Sequence, residues 1–220
     1  LFGTWKTAKK ALISWDLWFV SSLVYYGVSY GSVDLGGNRY LNSFLISIVE
    51  LPSNFAVMWS SGSIGRKKSV IIGVVIAFIA SAISVAIPTN KSSANIGGRV
   101  TAAIIAKFFI NYSFSGVYLW CVELFPTSVR STALATSSAA ARLGSFSASY
   151  IIWLIRIHAA LPYGIMGALC LQAAVFACFL PETKSKPTLE TMADMNKNQD
   201  LTLPVSGEGK AGKNEKDAEL

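Results

Sequence analysis

The sequence predicts an all-α integral membrane protein with six membrane-spanning helices. Two compositional observations and one of pattern carry this. The 220 residues are 52% hydrophobic and 14% charged, where a soluble domain carries about 25% charge. Mean hydropathy is +0.47. The apolar residues are gathered into blocks close to the roughly 20 residues that a spanning helix needs, without the polar alternation of a half-buried strand.

The spans follow in order, and four of them carry an isolated charge. Residues 11–31 hold Asp16 near their start. Residues 40–65 hold Glu50, with Pro52 just after it as the expected kink. Residues 70–88 open on VIIGVVIAFIASAISVAI, 18 residues without a charge. Residues 100–122 hold Lys107, which the spacing to Glu123 puts toward the outer end, where its stem can snorkel. Residues 131–155 hold Arg142, with Gly144 beside it for close packing. Residues 162–180 contain one strongly polar side chain, Gln172. The blocks share no fixed short period, so a solenoid is not supported.

Basic residues set the orientation. The segments before the first span, after the second, after the fourth and after the sixth carry Lys6, Lys9, Lys10, Arg66, Lys67, Lys68, Arg130, Lys184 and Lys186. The opposite loops carry Arg39, Lys91, Arg99 and Arg156. Nine against four predicts both termini on the cytoplasmic side. The net charge of +7 reads as this bias. No basic cluster is interleaved with stacking aromatics on a polar segment, so a nucleic-acid partner is not expected. Residues 183–220 are polar, mixed in charge and too poor in apolar residues to build a core, which predicts a disordered cytoplasmic tail.

The remaining chemistry-bearing residues narrow the function by exclusion. Cys121, Cys170 and Cys178 all lie in apolar spans and read as small buried hydrophobes. With no CxxC and a single histidine, His158, no zinc site is expected. Asn90-Lys91-Ser92 matches a glycosylation pattern but directly follows Pro88, close to the membrane. Gly36-Gly37 and Gly97-Gly98 read as outer turns. No Ser/His/Asp set, HExxH or phosphate-cradling glycine loop is present, so neither an enzyme nor a cofactor is expected. Arg142 stands out. It sits roughly 10 residues into its span, about 15 Å deep, where a charge costs at least about 2.5–3.5 kcal/mol and must face protein or water.

Val122–Arg130 (VELFPTSVR), followed by Ala139–Ser145 (AAARLGS), resembles the segment joining helices 10 and 11 of the organic cation/anion/zwitterion transporter family of the major facilitator superfamily. Val49-Glu50-Leu51-Pro52 resembles that family's helix 8, Gly65-Arg66-Lys67 its helix 8–9 loop, and Tyr25-Tyr26-Gly27 its helix 7. Leu180-Pro181-Glu182-Thr183 and Leu189-Glu190-Thr191-Met192 resemble the stretch after helix 12. The matches run in family order over about residues 10 to 195. The resemblance implies the six-helix C-terminal half of a twelve-helix carrier, with residues 1–10 as the cytoplasmic end of its central loop and a partner in the missing N-terminal six-helix half. A first residue of Leu1 fits a fragment.

The resemblance also implies a substrate site near the bilayer midplane, between the halves. Arg142 falls there, at a position where anion and zwitterion carriers often have arginine and several cation carriers have aspartate. Some invertebrate members named for cations also carry the ARxG pattern. A guanidinium pairs bidentately with a carboxylate and repels a cation. Phe114, Tyr25 and Tyr26 match cavity-lining aromatics suited to cation–π contact, and Lys107 is a further candidate. Asn54 stands where some anion carriers have lysine, which favours a monocarboxylate or zwitterion over a dianion. Glu123, Arg130, Arg66 and Glu182 fall at inner helix ends as a candidate gate. The acid that usually precedes the helix 8–9 glycine is absent from Ser61-Gly62-Ser63-Ile64-Gly65, which predicts a weaker latch. The expected function is transport of an organic ion, such as an anion or a carnitine-like zwitterion, by alternating access in the plasma membrane. An organic cation carrier is the alternative. A sugar carrier fits less well, because Leu23–Gly27 lacks the paired glutamines of its helix 7. A non-transporting membrane scaffold is the remaining alternative.

Overall fold

The computed structural model describes residues 5–31, 38–87, 93–158 and 161–184. The expectations for Gly36-Gly37, for Asn90 and for the tail beyond Lys184 lie outside them. Seven α-helices are described, α1 (Trp5–Gly31), α2 (Arg39–Ile48), α3 (Glu50–Ser63), α4 (Arg66–Ala86), α5 (Ser93–Leu124), α6 (Thr127–Trp153) and α7 (Leu161–Cys178). A 3-10 turn, Leu154–Arg156, closes α6. No strand occurs among the described residues.

Five segments are long and apolar enough to cross a membrane by length and composition, with α2 and α3 acting together over Arg39–Ser63. The 27 residues of α6 reach about 40 Å. Its serines, threonines and two arginines leave it outside that set on hydropathy, yet its buried stripe of Ala133, Ser137, Ala141, Gly144 and Ala148 packs along α1. A Cβ on Gly144 would run into the backbone carbonyl of Phe19, so glycine lets the two backbones meet.

The second span breaks at Val49, three residues before Pro52. Proline has no N–H to give the carbonyl of Ile48. The join rests on two long bonds, Val49 N–H to the Leu45 carbonyl and Ser53 N–H to the Val49 carbonyl, both 3.4 Å. The helix starting at Ser93 begins seven residues before the predicted span. It absorbs Gly97 and Gly98, expected as turn residues, and buries Arg99, expected in a loop, to 8% exposure.

The core lies where α1 and α5 meet α4, α6 and α7, around Leu23, Val24, Val70, Ile110, Trp120 and Met166. Hydroxyls tie the helices in pairs. Ser53 donates to the Phe108 carbonyl at 2.8 Å, Ser113 to the Val70 carbonyl at 3.2 Å, and the Trp15 indole to Thr136 at 3.0 Å. Cys121 and Cys170 are buried, as hydrophobes of that size pack, while Cys178 is exposed at the end of α7.

Candidate functional site

Two clusters of polar side chains form at opposite depths. The first is at mid-span, where α1, α5 and the α2–α3 break converge. Lys107 is 14 residues into α5, about 21 Å from its N-terminal end. Its side chain is 1% exposed. It does not snorkel, because the bundle supplies a counter-charge. Its ammonium lies 3.0 Å from Glu50 Oε1, donates to Ser29 Oγ at 2.6 Å and sits 3.1 Å from the Tyr25 ring centre. The Tyr25 hydroxyl donates to the same Glu50 oxygen at 2.7 Å. Glu50 can supply this charge because the helix break places it at the start of α3.

Aromatic rings extend from this cluster. Tyr30, Tyr26, Tyr25, Phe114, Trp18 and Tyr118 follow one another at centroid separations of 5.1–6.2 Å. A groove of about 380 Å³ between α3 and α5 is lined by Asn54, Val57, Met58, Phe114, Ser115, Tyr118 and Leu119. Asn54 Oδ1 accepts from Asn111 Nδ2 at 3.2 Å and from Ser115 Oγ at 2.9 Å. Five of the candidate residues, Tyr25, Tyr26, Lys107, Phe114 and Asn54, therefore belong to one continuous region. Arg142 shares no hydrogen bond or ion pair with it among the described residues. It is exposed on α6, two positions from Gly144 and so turned away from α1. Its side chain makes no hydrogen bond or ion pair among the described residues.

The second cluster closes the other end. Arg66 pairs with Glu123 Oε1 through Nη2 at 2.8 Å and Nε at 3.0 Å. Thr183 Oγ1 donates to Glu123 Oε2 at 2.7 Å. Glu182 Oε1 accepts the backbone N–H groups of Arg66 at 3.0 Å, Lys67 at 3.4 Å, Thr183 at 3.1 Å and Lys184 at 3.2 Å. Burial pushes the Glu182 carboxyl up, but these backbone donors together outweigh it and hold it below its ordinary value. Glu182 sets a carboxylate beside Gly65. It caps the first turn of α4 from across the fold, and Gly65, at φ 110°, is the residue that lets it approach. Lys67 and Lys184 reach the carbonyls of Cys178 and Ser63, and the Trp120 indole donates to the Pro181 carbonyl at 3.1 Å. Thr183 and Lys184, expected in a disordered tail, are thus part of the knot.

Arg130 is the exception among the four expected gate residues. Its Nε donates to the Phe125 carbonyl at 3.3 Å, where Pro126 ends α5 and leaves carbonyls without partners. Its Nη2 is buried with no hydrogen-bond partner. Sequence reasoning missed Glu50 and Thr183 as site members. The signal for Glu50 was present, an isolated acid in an apolar span, as informative as Arg142.

The family model described as sugar (and other) transporter matches residues 19–195. The chain is 34% identical to solute carrier family 22 member 16 of Bos taurus over 90% of its own length and 34% of that protein's. It is 34% identical to the organic cation transporter protein of Drosophila melanogaster over 84% of its length and 33% of that protein's. With solute carrier family 22 member 15 of Xenopus tropicalis the identity is 33%, over 91% and 38%. The helical fold, the membrane spans and these matches place the chain in the major facilitator superfamily, with the six-helix half of its fold. The chain belongs to the organic-ion transporter family within it. It spans about a third of the length of the curated relatives it matches, and it is an integral membrane protein.

Proposed function

We propose that this chain is the C-terminal half of an alternating-access carrier that moves an organic anion or carnitine-like zwitterion across the plasma membrane. Spans at 11–31, 40–65, 70–88, 100–122, 131–155 and 162–180 cross the bilayer with both ends cytoplasmic, and residues 183–220 continue into the cytoplasm. A second six-helix half faces the aromatic region, and the substrate binds between the halves. The observation that carries this reading is the contrast between two span cations. Lys107 is neutralised by Glu50, whereas Arg142 is exposed and uncommitted. A guanidinium in that state, enclosed by a partner half, favours a carboxylate. Tyr25, Tyr26 and Phe114 suit the bulk or quaternary ammonium of the same substrate. Arg66, Glu123 and Glu182 form the inner latch, which must loosen when the inner end opens.

The experiment is Arg142→Asp in the full carrier. Uptake of carboxylate-bearing substrates falls to background while surface expression stays normal. Undiminished carnitine or anion uptake removes Arg142 from the site. The second reading is an organic cation carrier, favoured by the printed name of the Drosophila melanogaster relative. Competition between one cation, one anion and carnitine for uptake separates the two.

A further inference from the structure

The seam between α1 and α7 runs antiparallel, and its contacts follow in register. Lys9 lies 5.3 Å from the Phe179 ring centre, Gln172 Nε2 donates to Asp16 Oδ1 at 2.9 Å, Gly27 abuts Met166 and Gly31 abuts Tyr163. Asp16 is five residues into the proposed span 11–31, about 8 Å along the helix axis, inside the hydrocarbon toward one boundary of a spanning helix. A carboxylate at that depth needs a cation or several donors to offset the loss of water. Asp16 has a single neutral amide on Oδ1, and Oδ2 is buried with no hydrogen-bond partner.

Among the described residues, no neighbouring element supplies the missing charge. α7 contains no Asp, Glu, Lys, Arg or His, and its titratable groups are Tyr163, Cys170 and Cys178. Lys9 and Lys10 sit about 10 Å nearer the start of α1. On α5, Lys107 is committed to Glu50 and Ser29, Glu123 to Arg66 and Thr183, and Cys121 lies against Ser14 and Ser137. Tyr112 meets Ser60, Tyr118 packs on Trp18, and Arg99 is near the opposite end. On α6, Arg130 bonds the Phe125 carbonyl, while Arg142 and Tyr150 are exposed.

We propose that Asp16 is a proton-binding site of the carrier, holding a proton on Oδ2 while Oδ1 accepts from Gln172. The proposal rests on the transport reading and names its coupling ion. The carboxylate takes one proton from water on one side of the membrane to become the neutral acid. Releasing that proton to the other side restores the carboxylate, with no other bond made or broken. Because Oδ2 is occluded here, exchange requires the α1–α7 seam to open, which ties protonation to the conformational cycle.

Asp16→Asn keeps the shape and the acceptor for Gln172, so the helix pair should form. The first test is an infrared difference spectrum of the chain in phospholipid vesicles, wild type minus Asp16→Asn, at neutral pH. A protonated-carboxyl C=O band is expected in the wild type and absent from the variant. Gln172→Leu, which removes the amide and leaves the carboxyl, should keep that band and shift its frequency. The second test is uptake by the full carrier under an imposed proton gradient. The gradient should change wild-type uptake several-fold and leave Asp16→Asn unchanged. Absence of the band overturns the proposal, and so does a band accompanied by gradient-independent uptake. A carrier that moves no organic ion fails the transport reading instead, and the infrared result still decides whether Asp16 holds a proton.

Discussion

Glu50→Gln and Lys107→Met should have unequal costs, although they remove the two halves of one ion pair. The Lys107 side chain is 1% exposed and that of Glu50 31%. Glu50→Gln leaves a buried ammonium with a hydroxyl and a ring face for company, and removing one partner of a buried pair costs about 3–5 kcal/mol. Lys107→Met preserves volume and leaves a carboxylate that keeps the Tyr25 hydroxyl and is one-third open, so the cost is a donor loss of about 1–2 kcal/mol. The double variant replaces the pair by neutral groups of similar size, a change that is near neutral in other proteins. Its cost should stay close to that of Lys107→Met, so the coupling between the sites equals the Glu50→Gln cost, about 3–5 kcal/mol. The assay is reversible denaturant unfolding in lipid–detergent micelles, carried through the complete double-mutant cycle. The reasoning fails if Glu50→Gln is no costlier than Lys107→Met, or if the two costs add.

The knot around Glu182 makes two further predictions, and the α1–α6 packing makes a third. The Glu182 carboxyl is held below its ordinary value, so its stabilisation is complete above the unfolded-state value and is lost as pH falls through the lower folded-state one. The environment of Trp120, which bonds the Pro181 carbonyl, should change in that acid window in the wild type and not in Glu182→Gln, as read by fluorescence against a Trp120→Phe control. Gly65→Ala places a Cβ 2.8 Å from Glu182 Oε2 and strains a residue at φ 110°, which should cost about 1–3 kcal/mol in the same unfolding assay. In Gly144→Val the added Cβ meets the Phe19 carbonyl, so α6 must move off α1. Cross-linking between cysteines placed on the two helices should fall, with little change for a pair placed on α4 and α5.

The helices were legible because a spanning helix is apolar over most of its circumference, which a composition window detects directly. The break at Val49 was misplaced by three residues because proline acts on the carbonyl four positions earlier, not at its own site. What the chain could not disclose was pairing. Glu50 and Lys107 are 57 positions apart, and each reads alone as an expensive charge. Snorkelling and a buried counter-ion both satisfy a lysine, and only the register of α3 against α5 decides between them. Glu182 capping α4 was hidden for the same reason, since its donors are backbone groups of Arg66 and Lys67, which carry no sequence signature. Arg130 shows the converse error. A charge at a helix end invites an ionic partner, yet the carbonyls released where Pro126 stops α5 compete for it.

The distribution of satisfied and unsatisfied charge separates scaffold from site. A buried charge that is paired and hydrogen-bonded fixes a contact, and Lys107–Glu50 and Arg66–Glu123–Thr183 fix α5 to α3 and α4. A charge left open at bilayer depth cannot be maintained against lipid and therefore implies a polar surrounding that this six-helix unit does not itself provide. On the proposed spans, Arg142 and an ionised Asp16 would be such charges, on different faces. Arg142 is exposed on α6, where the proposed second half and substrate would enclose it, and Asp16 lies in the α1–α7 seam, where we propose that it holds a proton. The two require different experiments for that reason. Uptake selectivity reads the first, and carboxyl protonation reads the second.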